Sequence, residues 1–462
     1  MLLCLRLGIC DDVVNHIVRG HACPHIHMYT SRIFIILFNI QHCSTMYVGC
    51  RGPRVPVEHT RHPKPVSCRG HGNDSVSRVE EHRRPTKQCP NVDALYSWMG
   101  KHRMESQRVV DIRYQDDVQG WGLVAKEDIS EGCLLVDVPM EYTIHSSERM
   151  ENHVPWNVQM VSTLLENATS DGWKDWVAAM PAHVDIPWIY WEEEEIAELQ
   201  DGDVIREVHE LCGFLKSLQE YLGMYTWDDV LWAFSIVHSR SFLCGNQHIF
   251  VPVIDMANHS HDNNASVRTN FSPSNCQGRE AQEEIAPVNE EEDSSTFQLI
   301  ASRDIPSSEQ ITISYGSLPN DVLLLYFGFA LPDNEHDQVV VFQNLNDAIS
   351  AISTILGVPG IVAEDTPHKN EKRFFVMNHG ADPRLLEIIA STIHIAGMEN
   401  THTVAGILKK VCQHHLAEYS TSLEDDSLSM STPSNDTNAR YLTALSFRYN
   451  KKAILHNVIA SL

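Results

Sequence analysis

The sequence predicts an α+β chain: a β-rich middle interrupted by a helical insertion, then a helical tail. Three observations carry that prediction. Short apolar runs with strand-like alternation recur between residues 119 and 342. A tryptophan-studded stretch with helical character fills about 145–235. Beyond Leu345 the apolar period becomes that of a helix and stays so.

Taken in order, "NVDALYSWMGKH" (91–102) sets Leu95, Trp98 and Met99 at helical spacing and ends near Gly100. In "QGWGLVAKEDISEGCLLVDVP" (119–139), the glycine pair, the alternation around Leu123 and Ala125, and the apolar run from Cys133 to Val138 give two short strands joined by the "SEG" turn. Residues 145–235 spread Trp156, Trp173, Trp176, Trp188, Trp191, Trp227 and Trp232 over helical segments, and the acidic run Glu192 to Glu195 reads as a solvated helix start. "HIFVPVIDMANHSHDNN" (248–264) reads as an apolar strand that runs straight into polar residues, and 262–296 as an acidic insertion loop. "FQLIASRDI" (297–305), "QITISYG" (310–316) and "DQVVVF" (337–342) return to strand character. In the tail, Leu385, Ile388, Ile389 and Ile393 share one helix face, and Val404, Ile407, Leu408 and Val411 another. "SLEDDSLSMSTPSNDTN" (422–438) reads as a low-complexity loop before a last amphipathic helix over 441–459.

A chain of 462 residues, 43% hydrophobic and 21% charged, has the balance of an ordinary globular protein, which excludes collagen-like, coiled-coil and wholly disordered classes. The longest unbroken apolar runs, such as Ile33 to Phe38, fall far short of the ~20 residues that cross a bilayer, so no membrane partner is expected. The net charge of −26 is uneven: residues 1–90 hold 12 Lys/Arg against 6 Asp/Glu, leaving −32 on the rest. So acidic a body repels nucleic-acid phosphate and draws cationic partners. Seven of the 12 cysteines lie in the first 90 residues and no C-x-x-C pair occurs, which supports neither a zinc knuckle nor a disulfide scaffold. The body reads as holding free thiols in a reducing compartment, cytoplasm or plastid. Residues 1–90 lack a sustained period, and Asp11 and Asp12 come too early for a secretory signal; they read as a disordered leader or targeting segment outside the working fold.

No phosphate loop, H-E-x-x-H or G-x-S-x-G occurs, and Gly120-Trp121-Gly122 lacks the third glycine of a dinucleotide fingerprint. The densest polar constellation is Asp255, Asn258, His259, His261 and Asp262, directly after the apolar strand. On the residues alone it reads either as a metal site of imidazole and carboxylate or as a turn capped through Asn258 and His259. Tyr315, ending "ITISYG", is the third candidate; by itself it reads as strand-end packing.

"GWGLVAKEDI", "SRSFLCGNQHIFVPVIDMANHS" and "EQITISYGSLPNDVLLLYFGFALPDNEHD", in that order and spacing, resemble the SET-domain protein methyltransferases. The likeness is to the subgroup of the Rubisco large-subunit lysine methyltransferase and the actin-histidine methyltransferase. It covers 91–342, taken as the SET domain, and "ALSFRYNKKAIL" (444–455) resembles the end of that subgroup's substrate-binding domain, expected to be all-helical over 343–462. The resemblance implies a pseudoknot in which the Asp255–Ser260 segment and the Tyr315 tail thread past each other, with S-adenosylmethionine on one side and the substrate channel on the other. By position it implies that the Gln119, Gly120 and Trp121 backbone, Arg240, Asn258 and His259 hold the cofactor. Arg240, Asp255 and Phe327 border the substrate, and Tyr315 stands at the transfer point. No metal is expected.

The chemistry suits those roles. A zwitterionic methionine moiety needs a cation for its carboxylate, and Arg binds one bidentately. Methyl transfer needs a neutral amine, yet free Lys has pKa ~10.4, so the site must help remove a proton. A fixed tyrosine hydroxyl orients the acceptor. Two departures stand out: Gln119 where the family has Glu, and Phe327-Gly328-Phe329 where the subgroup has Tyr-Gly-Phe, which removes a hydroxyl near the acceptor. The sequence therefore reads as a monomeric methyltransferase for lysine of a non-histone protein with a basic recognition segment. Histidine methylation, an inactive binding module, and a metal-dependent hydrolase on Asp255, His259 and His261 remain as alternatives.

Overall fold

The computed structural model describes residues 92–102, 109–115, 120–145, 154–182, 184–219, 222–244, 247–270, 296–361, 372–432 and 438–462. The expected leader, Gln119 and most of the expected acidic loop lie outside the described residues. Two compact units result: one takes 92–184 with Met224–Tyr315, the other Asp185–Gly223 with Gly316–Leu462.

In the first unit the alternating segments become strands β1 (Val110–Gln115), β2 (Gly120–Ala125), β3 (Leu134–Pro139), β4 (Ile144–His145), β5 (Phe242–Cys244), β6 (Gln247–Phe250), β7 (Asn258–His259), β8 (Ala265–Asn270), β9 (Thr296–Ala301) and β10 (Gln310–Ile313). They form three small sheets, ordered β1-β2-β10-β7, β3-β9-β8 and β4-β6-β5. The two strands expected on either side of the "SEG" turn therefore do not pair: β2 joins β1 and β10, and β3 joins β9. Alternation explains the faces, since Phe297, Leu299 and Ala301 of β9 point inward while their neighbours do not. The Val92–Lys101 helix buries Leu95, Trp98 and Met99 as its spacing requires, and the Trp98 indole donates to the Gly172 carbonyl at 2.6 Å within a cluster with Trp173 and Trp176. The Trp227–Arg240 helix starts on Thr226, whose hydroxyl accepts the Asp229 N–H, and buries Val230, Ala233, Phe234 and Val237.

The apolar run from His248 is a strand only to Phe250, a correction to the longer strand expected from its composition. At Val253 the backbone turns to φ +69°, ψ −48°, and Ile254 N–H donates to the Pro252 carbonyl at 2.8 Å. This is a γ-turn through a β-branched residue, a conformation that L side chains avoid. It ends the strand and starts the single 3₁₀ turn Ile254–Met256. β8 is a second correction: residues 265–270, expected within the acidic loop, pair with β9.

The second unit is not wholly helical, contrary to expectation. β11 (Gln338–Asn344), β12 (Lys372–Met377) and β13 (Gly380–Ala381) form an antiparallel sheet, because Phe374 and Val376 alternate into the core against Val339 and Val341. The helices Leu345–Leu356, Pro383–Ile395, Val404–Leu416 and Ala439–Ser461 bury the apolar faces read from their period. The segment expected as a low-complexity loop holds a further helix, Leu423–Ser431, started by a reciprocal Ser422/Asp425 cap. Its buried Asp426 answers two buried cations of the last helix: Lys452 at 2.5 Å and Arg448 at 3.1 Å.

That last helix explains why the units divide at 184/185, 223/224 and 315/316 instead of at the expected boundary after 342. Arg440 bonds Asp185 and Glu195, Arg448 bonds Glu198, and Lys451 bonds Asp321 and Asp337, so 185–223 is tied to the tail by partly exposed ion pairs and 316–338 by the buried pairs of Lys451. Such pairs strongly resist loss of one partner. The acidic run is thus more than a solvated helix start: Glu192 caps the Glu193–Ala197 helix and Glu195 receives Arg440 and Asn438.

Candidate active site

The site of the first unit is assembled where β7 lies parallel to β10, with Thr312 opposite Asn258 and Ile313 opposite His259. The Ser260 N–H continues the pairing to the Ile313 carbonyl at 3.0 Å. The Asp255–Ser260 segment and the chain leading to Tyr315 therefore run side by side, as a threaded pseudoknot requires. Tyr315 is fixed twice. Its backbone N–H donates to His259 Nδ1 at 3.1 Å, and its hydroxyl donates to the Ala257 carbonyl at 3.0 Å. The His259 ring stacks on the phenol with centroids 5.1 Å apart. The hydroxyl proton is thus committed to the Ala257 carbonyl. Burial pushes the phenol up to about 12, against the pull of Arg240, so it stays protonated at neutral pH.

Asn258 reaches the other way. Its amide donates to Gln310 Oε1 at 3.0 Å and to the Trp121 carbonyl at 3.4 Å. Gly122 makes this possible, since a Cβ there would stand 2.5 Å from Asn258 Nδ2. Gly120 and Trp121 open β2, whose backbone faces Gln115 and Tyr114 of β1 on its other edge. Arg240 closes the arrangement from the end of its helix. Its Nη1 donates to the Asp255 carbonyl at 2.9 Å and stands 3.6 Å from Asp255 Oδ2. The Asp255 side chain is buried, so desolvation outweighs the attraction of the half-buried Arg240 and pushes Asp255 up to about 6. Among the described residues Arg240 Nε and Asp255 Oδ1 have no hydrogen-bond partner. A guanidinium with a buried spare donor is built to receive an anion.

Tyr315, Asn258, His259, Arg240, Asp255, Gly120 and Trp121 thus all lie in one unit as the sequence suggested, and Gln119 lies outside the described residues. Phe327 belongs to the second unit, half-buried, with its ring centroid 6.3 Å from that of Phe329. His261 sits beside His259, ring centroids 5.0 Å apart. Among the described residues no three His, Cys, Asp or Glu are grouped to hold a metal ion, so the hydrolase reading finds no geometric support. The amino-acid end of S-adenosylmethionine fits this donor set, since the spare Arg240 N–H suits a carboxylate.

Sequence reasoning missed three supports. Asn264, 1% exposed, donates to Glu309 Oε1 and the Gln310 carbonyl and accepts the Thr312 N–H, pinning β10 in register. Its signal was present as the last residue of "HDNN". His238 and His248 flank Trp156, which stacks face to face on His248 at 3.4 Å; burial pushes both histidines down to about 3. No local pattern marks such a stack, because its three members come from separate elements.

Comparison with known proteins agrees with this geometry. The SET domain family matches residues 120–316, and the Rubisco LSMT substrate-binding family matches 372–455. The chloroplastic ribulose-1,5 bisphosphate carboxylase/oxygenase large subunit N-methyltransferase of Nicotiana tabacum is 24% identical over 416 residues, 79% of this chain and 80% of that protein. The actin-histidine N-methyltransferase of Canis lupus familiaris is 22% identical over 283 residues, 54% of this chain but only 44% of that protein. Among solved structures, the SET domain of LSMT bound to lysine and AdoHcy superposes with TM-score 0.60 at 20% identity, over 81% of this chain and 91% of that one, a likeness of fold. Among the described residues no helix is long and apolar enough to cross a membrane.

Proposed function

We propose, for a chain that belongs to the SET-domain family and carries a Rubisco LSMT substrate-binding domain, S-adenosylmethionine-dependent methylation of lysine in a non-histone protein. The observation that carries the reading is the doubly anchored Tyr315, its hydroxyl given to Ala257 and its N–H to His259. When bound, S-adenosylmethionine supplies an electrophilic methyl group on a sulfonium. Arg240 receives the carboxylate of its amino-acid end. Asn258 and His259, with the Gly120–Trp121 backbone, hold the rest.

On the acceptor side, the fixed Tyr315 oxygen accepts one N–H and so aims the nitrogen lone pair, which is a positioning effect. Asp255, ionised above about pH 6, offers its carboxylate to an arriving ammonium. Desolvation and the positive charge that the sulfonium would bring then disfavour that ammonium, whose proton leaves to water before transfer. The acidic body selects a basic segment of the protein substrate, and the enzyme works as a monomer in cytoplasm or plastid; the chloroplastic tobacco relative supports the latter.

Histidine is the second reading, supported by Phe327-Gly328-Phe329 and by the likeness to actin-histidine N-methyltransferase. Incubation of the purified protein with methyl-labelled S-adenosylmethionine and a cell lysate, followed by mass spectrometry of labelled peptides, decides between them. Label on a lysine ε-nitrogen is expected. Label on an imidazole would establish the second reading, and cofactor binding without any label would leave only a binding module.

A further inference from the structure

The Asn258 side chain owes its orientation to a neighbouring strand. Asn258 of β7 lies opposite Thr312 of β10, and Gln310, two residues earlier on β10, shares the Thr312 face. On its other edge β10 pairs with β2, Gln310 opposite Val124, so Gly122 falls on that face too. The missing Cβ of Gly122 leaves the gap in which two side-chain amides meet. A Cβ there would stand 2.5 Å from Asn258 Nδ2 and 3.4 Å from Gln310 Oε1.

Amide chemistry then decides which end of Asn258 is used. A backbone carbonyl only accepts, so the Asn258 atom 3.4 Å from the Trp121 oxygen is the nitrogen. Its second hydrogen goes to Gln310 Oε1 at 3.0 Å, the shorter of the two bonds. With both hydrogens committed, Asn258 has only the acceptor Oδ1 left to offer. Gln310 is itself held: it sits in β10, and its carbonyl accepts the amide of the buried Asn264 at 2.8 Å.

An acceptor is what the cofactor's remaining charge requires. The amino-acid end is zwitterionic, and Arg240, which only donates, suits the carboxylate but offers nothing to the ammonium. A flipped Asn258 amide would set N–H against N–H. We propose that Gln310 is a positioning residue for cofactor binding: it holds the Asn258 amide so that Oδ1 faces the ammonium of S-adenosylmethionine. This rests on the reading that Asn258 meets the amino-acid end. Without the Gln310 oxygen, only the longer bond to Trp121 opposes rotation of the amide, and that terminal torsion has broad minima.

The test is calorimetric affinity of the full chain for two probes, S-adenosylhomocysteine and the analogue that lacks only its α-amino group. The parent should prefer the first. Gln310→Met nearly keeps the length and removes the acceptor, so it should weaken S-adenosylhomocysteine about tenfold and leave the analogue within about twofold. Gln310→Glu keeps an accepting oxygen and should restore the preference; Gln310→Ala serves if Gln310→Met fails to fold. Asn258→Ala should abolish the preference outright. If it does, while a folded Gln310→Met or Gln310→Ala keeps the parental preference or weakens both probes alike, the proposal alone is overturned. A parent that binds both probes equally, or an Asn258→Ala variant that still prefers the first, would remove Asn258 from the ammonium and the proposal with it.

Discussion

Replacing Arg240 by Met removes a half-buried cation while nearly keeping its volume, and the structure dictates how the damage varies with pH. Two losses are involved. The Nη1 bond to the Asp255 carbonyl disappears at every pH, a cost of about 1–3 kcal/mol. The second loss depends on the state of the Asp255 carboxyl, which stands 3.6 Å from the same nitrogen and titrates at about 6 in the intact protein. Its folded pKa lies above the unfolded value, so its contribution to stability is fully present below about pH 4 and lost as pH rises through 6. Without Arg240 the unopposed desolvation moves that pKa higher still, and the loss continues above pH 6. Between pH 6 and 7.5 this amounts to about 1.5 pH units, or ~2 kcal/mol. Urea denaturation of the parent, Arg240→Met, Asp255→Asn and the double variant at pH 5 and 7.5 measures it. The Arg240→Met penalty should be about 2 kcal/mol larger at pH 7.5 than at pH 5, and this increment should vanish in the Asp255→Asn background. A penalty equal at both pH values, or an increment that survives without the carboxyl, would refute the account of the pair.

Three further outcomes follow from the same geometry. Gly122→Ala forces the Asn258 amide off Gln310 and Trp121, so affinity for S-adenosylmethionine should fall about tenfold by calorimetry while the melting temperature changes little. His238 and His248, held neutral with pKa pushed down to about 3, favour the fold fully above pH 6.5 and progressively less below it. His248→Phe, which keeps the stack on Trp156, should therefore reduce the acid-side fall in stability by up to ~1.4 kcal/mol per pH unit; an unchanged slope in denaturant titrations at pH 6.5 and 5 would exclude it. Raising ionic strength from low to physiological should raise the Michaelis constant for the protein substrate and leave cofactor affinity nearly unchanged, because exposed charges are screened beyond ~8 Å and the half-buried Arg240 is not; equal sensitivity would contradict it.

What the sequence made legible was whatever is encoded by local period or by ordered motifs. The helix over 92–101 and the strands β9 and β10 follow from spacing alone, and the motifs around Arg240, Asn258 and Tyr315 foretold which groups would meet. What stayed hidden depends on partners distant in the chain. The acidic stretch after Ser422 looked like a loop because its stabilising cations, Arg448 and Lys452, sit on another helix. The "KRFFVM" strand was masked by helical segments on both sides, and its pairing with β11 could only be seen in three dimensions. Val253 gave no warning of a positive φ, since a β-branched residue in an apolar run argues for continued strand. Asn264 offered an asparagine but no sign that its amide would bind β10 rather than a turn.

The central claim is that Tyr315 orients the acceptor nitrogen while Arg240, Asn258 and His259 hold the cofactor. Tyr315→Phe tests it with one atom. The measurement is single-turnover methylation of the labelled acceptor, made on the same preparation as calorimetric binding of S-adenosylmethionine. The account predicts cofactor affinity within a few fold of the parent and transfer slowed by ~10²–10³-fold, the cost of removing one positioned group from a dry site. Transfer at nearly the parental rate, with cofactor bound normally, would return Tyr315 to strand-end packing and contradict the assignment.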